Sequence, residues 1–192
     1  MLDLGLQKFE KFSLPEKIIG KKVILLRRTH THDSDLFRLI DTSRSFLRRF
    51  LFWIDDTKTL QNVSEVTDIF NKNWNNQNSF EYVFLDATTN QLVGAGGIHT
   101  ISYMNKTAEY GYYLDKEAIG KGYATEAVAL LEKELFKKGI HRLVIQCDSK
   151  NTASARVAER NGFIREACLK QAKYAYGNYR DELIYAKLNP KE

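Results

Sequence analysis

The sequence predicts a mixed α+β fold, a central sheet of about seven strands flanked by helices. Three observations carry that expectation. Short β-branched and aromatic runs recur along the chain, among them "FEYVFLD", "RLVIQCD" and "YRDELIYAKL". Between them lie stretches whose apolar residues return at helical spacing, as in "YATEAVALLEKELFKKG". The 192 residues contain only two prolines, no repeat and no low-complexity tract, so no internal linker is visible and one domain over 1–192 is expected.

In chain order, "KKVILLRRTHTHD" reads as a strand from Val23 to Arg28 with a polar stop, after which Asp33 can cap a helix carrying Leu36, Leu39 and Ile40 on one face. "SFLRRFLFWI" is aromatic and basic and reads either as an amphipathic core helix or as a wall of a binding cleft. Asn62 with Glu65 three residues later resembles a capping box opening a helix towards Trp74. "FEYVFLD", "LVGAGGIHTI" and "NKTAEYGYYLD" read as three successive strands. A helix with Ala124, Ala127, Val128, Leu131 and Leu135 on one stripe follows, and Lys137, Lys138 and Gly139 form its stop. "RLVIQCD" is a buried strand, "NTASARVAERNG" a short helix, "FIREACLKQ" a strand, "YGN" a turn and "YRDELIYAKL" the last strand.

Composition narrows the class of protein. A hydrophobic fraction of 43% with 28% charged residues is ordinary for a soluble globular domain. No apolar run approaches the roughly 18 residues of a membrane span, and the first twelve residues lack a signal peptide's apolar core; a cytoplasmic protein without membrane contact is expected. The net charge of +5 is spread along the chain, which permits nucleic-acid binding without indicating it. Two cysteines, Cys147 and Cys168, are too few for a disulfide framework and read as buried thiols. His30 and His32 lack a third ligand for a metal, so no metal is expected.

The segment "AIGKGYATEA" carries the first chemical signal. Gly120, Lys121 and Gly122 follow a strand and open a strong helix. Glycines let backbone approach a ligand closely, and a helix mouth offers free N–H groups and a positive dipole end to an anion. The spacing matches neither G-x-x-x-x-G-K-[ST] nor G-x-G-x-x-G. Such a segment by itself is as consistent with a plain turn as with a phosphate cradle. Downstream, Asn151 and Ser154 lie three apart at a helix start, ordinarily an N-cap region.

Both pieces in this order, one helix and one strand apart, resemble the GNAT superfamily of N-acetyltransferases. "NKTAEYGYYLD", "AIGKGYATEA", "NTASARVAERNGFIREACLKQA" and "LIYAKL" are similar to the RimJ/RimL branch, which includes ribosomal-protein serine/alanine N-acetyltransferases. The likeness spans roughly Val23 to Leu188, with the motif-bearing core at about 80–188. It implies acetyl-CoA as co-substrate, its pyrophosphate wrapped by Gly120, Lys121, Gly122, Tyr123, Ala124 and Thr125. It implies a pantetheine arm lying along the backbone of Tyr112 and Leu114, with Asn151 binding the cofactor. Ser154 matches a position given the role of protonating the leaving thiolate, and the Phe46–Trp53 region is expected to wall the acceptor side. The implied acceptor is a primary amine, in the branch a ribosomal protein N-terminus; a homodimer is compatible with the sequence.

Two positions depart from the family's pattern. Ile119 stands where a Gln or Arg is expected, which predicts weaker charge pairing with phosphate. Lys173 follows "KQA" where the ribosomal-protein enzymes carry a Glu, leaving the general base open. Acetyl transfer needs a deprotonated amine, N–H donors for a developing oxyanion, and a proton donor for sulfur. Glu109 is one candidate base, with an exposed strand carboxylate as the bland reading; His99 on the neighbouring strand is another. Lys173 is expected either to repel a cationic amine from inside the cleft or to face outward and pair with an acidic substrate segment. A small-molecule amine acceptor, a non-catalytic CoA-binding sensor and an RNA-associated protein are the rival readings.

Overall fold

A computed structural model describes residues 10–190. Eight strands form one sheet: β1 (Lys17–Ile19), β2 (Val23–Arg27), β3 (Phe80–Asp86), β4 (Leu92–Ser102), β5 (Thr107–Leu114), β6 (Arg142–Asp148), β7 (Ile164–Ala175) and β8 (Asn178–Leu188). Their spatial order is β1-β2-β3-β4-β5-β6-β8-β7. The expected seven are all present. The eighth, β1, is three residues long and exists because Lys17–Ile19 pairs antiparallel with Ile24–Leu26. All neighbours are antiparallel except β5 and β6, whose parallel ladder needs a crossover. That crossover is the helix α4 (Tyr123–Lys137). The other helices are α1 (Asp33–Thr42), α2 (Arg44–Leu47), α3 (Leu60–Asn75) and α5 (Thr152–Arg160).

The sheet is covered on both faces, and β3 shows how its sequence serves both. Successive side chains of a strand point to opposite faces. Phe80, Tyr82 and Phe84 join the core built on Ala127, Val128 and Leu131 of α4. Val83 joins the smaller core of Leu36, Leu39 and Ile40 from α1 with Val63 from α3. A run apolar at nearly every position is what a doubly covered strand requires. Glu81, the second residue of that strand, shares a face with Val83 and is buried nonetheless.

Several local expectations change in the folded chain. α3 begins two residues before Asn62, capped by Thr59: the Thr59 side chain accepts from the Asn62 N–H, and Asn62 Oδ1 accepts from the Thr59 N–H. Asn62 is thus the return partner of the box, and Glu65 lies a turn inside. Asp33 is the first residue of α1, preceded by His32, and its carboxylate accepts from Thr67 at 2.5 Å and pairs with His30. "SFLRRFLFWI" is not one amphipathic helix: it forms the single turn of α2 and a 3-10 turn at Phe52–Asp55, and Phe50–Trp53 line a cleft. Leu47 and Ile54 are core, whereas Phe52 and Trp53 stay partly exposed. Cys147 is buried as expected; Cys168 is exposed, because β7 is the sheet's edge and most of its side chains face solvent.

The N-terminal hairpin is tied to α4 by one carboxylate. Glu126 accepts the backbone N–H groups of Lys21, Lys22 and Val23 at 2.9, 2.7 and 2.9 Å. Hydrogen bonds to an ionised group contribute about 1.5–3 kcal/mol each, not additively. Glu126→Ala is therefore expected to lower stability by about 2–3 kcal/mol, seen as a fall in the urea midpoint at constant m-value. An unchanged midpoint would mean that the turn at Gly20–Val23 holds itself.

Candidate active site

The β5–β6 ladder runs from Thr107↔Arg142 to Tyr110↔Ile145 and stops. Beyond it Gly111–Leu114 and Gln146–Asp148 diverge, opening a slot in the sheet. A cavity of about 720 Å³ passes through this slot. Its walls include Tyr112, Cys147, Asn151 and Ser154 on the α5 side, and Glu81, His99 and Glu109 on the side of α1 and α3. Phe50, Leu51, Phe52 and Trp53 wall it further, with Trp53 set edge-on to Tyr113 at 5.3 Å between ring centroids. Leu114 and the Gly120–Thr125 loop lie outside these walls: Leu114 is buried opposite Gly94, and the loop sits at the mouth of α4.

That mouth is shaped by its two glycines. Gly120 and Gly122 both take positive φ, +80° and +92°, which a residue with a Cβ adopts only with strain. Gly122 is the N-cap and offers no side chain, so the first-turn N–H groups of α4 are not capped from within. The acidic residue of that turn, Glu126, is engaged with the β1–β2 hairpin. Lys22 reaches the loop from the hairpin, its Nζ donating to the Lys121 carbonyl at 3.1 Å. Ile119 is 40% exposed beside it. The Tyr123 hydroxyl bonds the Asp86 carboxylate; together with the Thr89 and Thr88 N–H groups it lowers the Asp86 pKa to about 2. The start of α4 is thus anchored from two sides, with its N–H end open. These residues fit a pyrophosphate.

Asn151 caps α5, its Oδ1 accepting from the Ser154 N–H at 3.2 Å. The Ser154 hydroxyl meets the Tyr112 hydroxyl at 3.0 Å. Burial pushes the Tyr112 pKa well up, so the phenol keeps its proton at neutral pH. Burial likewise pushes the Cys147 thiol to about 11, against a smaller opposing contribution from Ser154. Cys147 is a thiol at physiological pH and a poor nucleophile.

On the opposite wall Glu81, which sequence reading overlooked, accepts from His99 Nε2 at 3.0 Å. A carboxylate one residue into the apolar run Phe80–Leu85 is the signal that could have found it. Arg28, also overlooked, is buried and donates to Thr67 Oγ1 at 2.9 Å and to the Val63 carbonyl at 3.0 Å. Lys173 lines the cavity but is neither a free repelling charge nor turned outward. Its ammonium is paired with the buried Glu182 of β8. Arg180, two residues earlier on β8, pairs with Asp148 at 3.1 Å and donates to the Arg49 carbonyl at 2.6 Å. His30 and His32 have separate partners: His30 contacts Asp33 and Asp68, and His32 Nδ1 accepts from the Thr29 N–H. Among the described residues no group of three or more His, Cys, Asp or Glu is placed to hold a metal ion, and no helix is long and apolar enough to cross a membrane.

Comparison with known proteins agrees with this geometry. Residues 24–164 match the family model described as an acetyltransferase (GNAT) domain. The ribosomal-protein-serine acetyltransferase of Escherichia coli K12 is 32% identical over 165 residues, 82% of this chain and 87% of that protein. The solved structure of RimL, a ribosomal L7/L12 alpha-N-protein acetyltransferase in complex with coenzyme A, superposes with a TM-score of 0.86 at 26% identity, covering 91% of this chain and 98% of that one. The microcin C7 self-immunity acetyltransferase MccE, solved with acetyl-CoA and AMP, superposes with a TM-score of 0.85 at 25% identity, covering 91% and 97%. A slotted sheet, an open helix mouth and these matches lead to one conclusion: the chain belongs to the GNAT acetyltransferase family and is an N-acetyltransferase of its RimJ/RimL-like branch.

Proposed function

We infer that the chain, as one domain, transfers the acetyl group of acetyl-CoA directly to a primary amine, and that the amine is a protein N-terminus, with a ribosomal protein as the acceptor in view. The observation that carries the reading is the slot where the β5–β6 ladder ends, with the crossover helix between these two strands, α4, left uncapped at its start. Gly120–Thr125 would hold the pyrophosphate through backbone N–H groups, with Lys22 and Lys121 as the cations in place of the residue missing at Ile119. The free backbone of Tyr112 and Leu114 would align the pantetheine arm, and Asn151 would meet it from α5. Acetyl-CoA supplies an activated acyl group on sulfur. Ser154 holds a proton for that sulfur through its contact with Tyr112. The amine enters from the face where Glu109 lies and loses its proton there. The buried thiol of Cys147 favours direct transfer over a covalent relay.

The charge of the cavity bears on the acceptor. Asp56, Glu65, Glu81, Glu109, Asp148 and Asp181 line it, against Arg28, Lys173 and Arg180. Arg180 is paired with Asp148, Asp181 with Lys170 and Lys173 with Glu182, which leaves Asp56, Glu65, Glu81 and Glu109 against Arg28. The field therefore draws in a cationic amine. A thiol-release assay should show turnover with N-terminal peptides whose first residues are neutral or basic, with KM rising several-fold between about 50 and 300 mM salt, because exposed charges are screened over about 8 Å at physiological ionic strength. Acidic peptides saturating at lower concentration than basic ones would remove this reading. No thiol release with any peptide or amine would remove the enzyme reading itself.

A second reading, a small-molecule amine, is favoured by one contact. The β7–β8 hairpin tip closes onto the segment after α2: the Tyr176 ring stacks under the Arg48 guanidinium at 4.0 Å, and its hydroxyl donates to the Leu51 carbonyl at 3.4 Å. That clasp narrows the acceptor side.

A further inference from the structure

Of the cavity's side chains, His99 is the one whose placement the strand pattern does not explain. The β4–β5 ladder pairs Ile98 with Tyr110 and Thr100 with Glu109, so His99 is an extra residue and β4 bulges there. At a bulge two residues of one strand oppose one of the other; here His99 and Thr100 oppose Glu109. The ring is then accommodated by an absence. A Cβ on Gly111 would lie 2.5 Å from His99 Cε1 and 2.6 Å from Nδ1, which only a glycine avoids. The ring's Nε2 meets the Glu81 carboxylate at 3.0 Å. Glu81 is 3% exposed, whereas the His99 side chain is 43% exposed to the cleft.

Bulge, bare glycine and buried carboxylate together orient one imidazole. We propose that His99 is the general base that takes the proton from the acceptor amine, and that Glu81 is its positioning residue. With Glu81 accepting the Nε2–H, the neutral ring keeps its lone pair on Nδ1. The acceptor enters as an ammonium. His99 takes one proton from it, leaving the free amine. The amine nitrogen bonds to the acetyl carbon, the carbon–sulfur bond breaks, the nitrogen's second proton replaces the one Ser154 delivers to sulfur, and His99 returns its own proton to solvent. The products are an N-acetyl amide, a thiol and one released proton. In this arrangement Glu109, opposite the bulge, stabilises the imidazolium rather than taking the proton.

The charged groups facing the ring fit the role. Burial works against a charged imidazole, but the Glu81 carboxylate on β3, through charge and hydrogen bond, and the Glu109 carboxylate on β5 outweigh it, so the His99 pKa is raised above its ordinary 6.5. Arg28, after β2, is the cation lining the same wall, and its guanidinium is directed to Thr67 and Val63. The sign is definite: below the raised pKa His99 is protonated and cannot accept, so kcat/KM falls on the acid side.

The inference rests on the acetyltransferase reading, and its test separates the two. Histidine ring signals of the intact protein are followed by NMR against pH for the wild type, Glu81→Gln and Glu109→Gln, with no substrate present. The wild type should show a neutral His99 ring protonated on Nε2, with its pKa above 6.5; Glu81→Gln should lower that pKa and Glu109→Gln lower it less. In parallel, thiol release is measured with acetyl-CoA and a serine-initiated peptide amide. His99→Gln should lose about 10²-fold or more in kcat with acetyl-CoA affinity unchanged by calorimetry, and Glu81→Gln should move the acid limb of kcat/KM to lower pH. Wild-type kcat with an intact acid limb in His99→Gln would overturn the base. A neutral ring protonated on Nδ1, or a pKa that Glu81→Gln leaves in place, would overturn the dyad whether or not the peptide is acetylated. An inactive wild type with the expected titration would count against the acetyltransferase reading instead.

Discussion

Gly122→Glu is expected to abolish measurable acetyl-CoA binding under conditions where the wild type binds, a loss of about 10²-fold or more in calorimetric titration. Two physical effects combine. The residue caps α4 with φ at +92°, a conformation costing a side-chain-bearing residue about 1–2 kcal/mol. The larger effect is charge. A carboxylate placed at the helix mouth occupies the positive end of the dipole. It also opposes a phosphate at short range, where like charges about 4 Å apart repel by about 4 kcal/mol near a protein surface. With 1.4 kcal/mol for each tenfold change in affinity, that repulsion accounts for the loss. Lys22 moderates it, since a Cβ at Gly122 would lie 3.1 Å from its Nζ. Lys22→Ala added to Gly122→Glu should therefore deepen the loss. Gly122→Ala carries the backbone strain without the charge and should cost stability more than affinity. A folded Gly122→Glu protein that binds acetyl-CoA like the wild type would place the pyrophosphate elsewhere.

Ser154→Ala is expected to lower kcat by about 10²-fold or more, with acetyl-CoA affinity nearly unchanged. The hydroxyl lies 3.0 Å from the Tyr112 hydroxyl, which burial keeps protonated. A proton given by Ser154 can thus be replaced from Tyr112. Tyr112→Phe should cost less than Ser154→Ala, and the double variant should cost little more than Ser154→Ala alone, because residues acting as a unit are not additive. The cap of α5 survives all three changes, since it is the Asn151 side chain that accepts the Ser154 N–H. Turnover near wild type in Ser154→Ala would leave Ser154 as a helix-start residue only.

What the sequence determined by itself is local chemistry. Glycines at 120 and 122 mark positive φ, Asn151 marks a cap, and the stripe from Ala124 to Leu135 marks a helix packed on a sheet; each depends on residues within a turn or two of one another. The order strand, glycine loop, helix, strand, capped helix therefore makes the family recognisable in the sequence. Only the tertiary structure decided the opposite wall. Glu81 and His99 stand 18 positions apart on adjacent strands: Glu81 pairs with Gly97, which puts His99 two residues on along the same face, and on the other side a bulge shifts the β4–β5 ladder by one residue while Gly111 leaves room for a ring. A bulge has no period, so hydrophobic patterning does not announce it. Lys22 reaches Lys121 across 99 positions for the same kind of reason, a hairpin turn held down by Glu126. The sequence leaves Lys173 either repelling a cationic amine in the cleft or facing outward to an acidic substrate segment; the pairing of β7 with β8 gives it Glu182 instead. The apolar neighbours of Cys168 predict a buried thiol, but an alternating strand buries a face only where the sheet has another layer over it, and β7 lies at the edge. Charge partners and edges are set by which strands become neighbours, and that is settled by packing the whole chain at once.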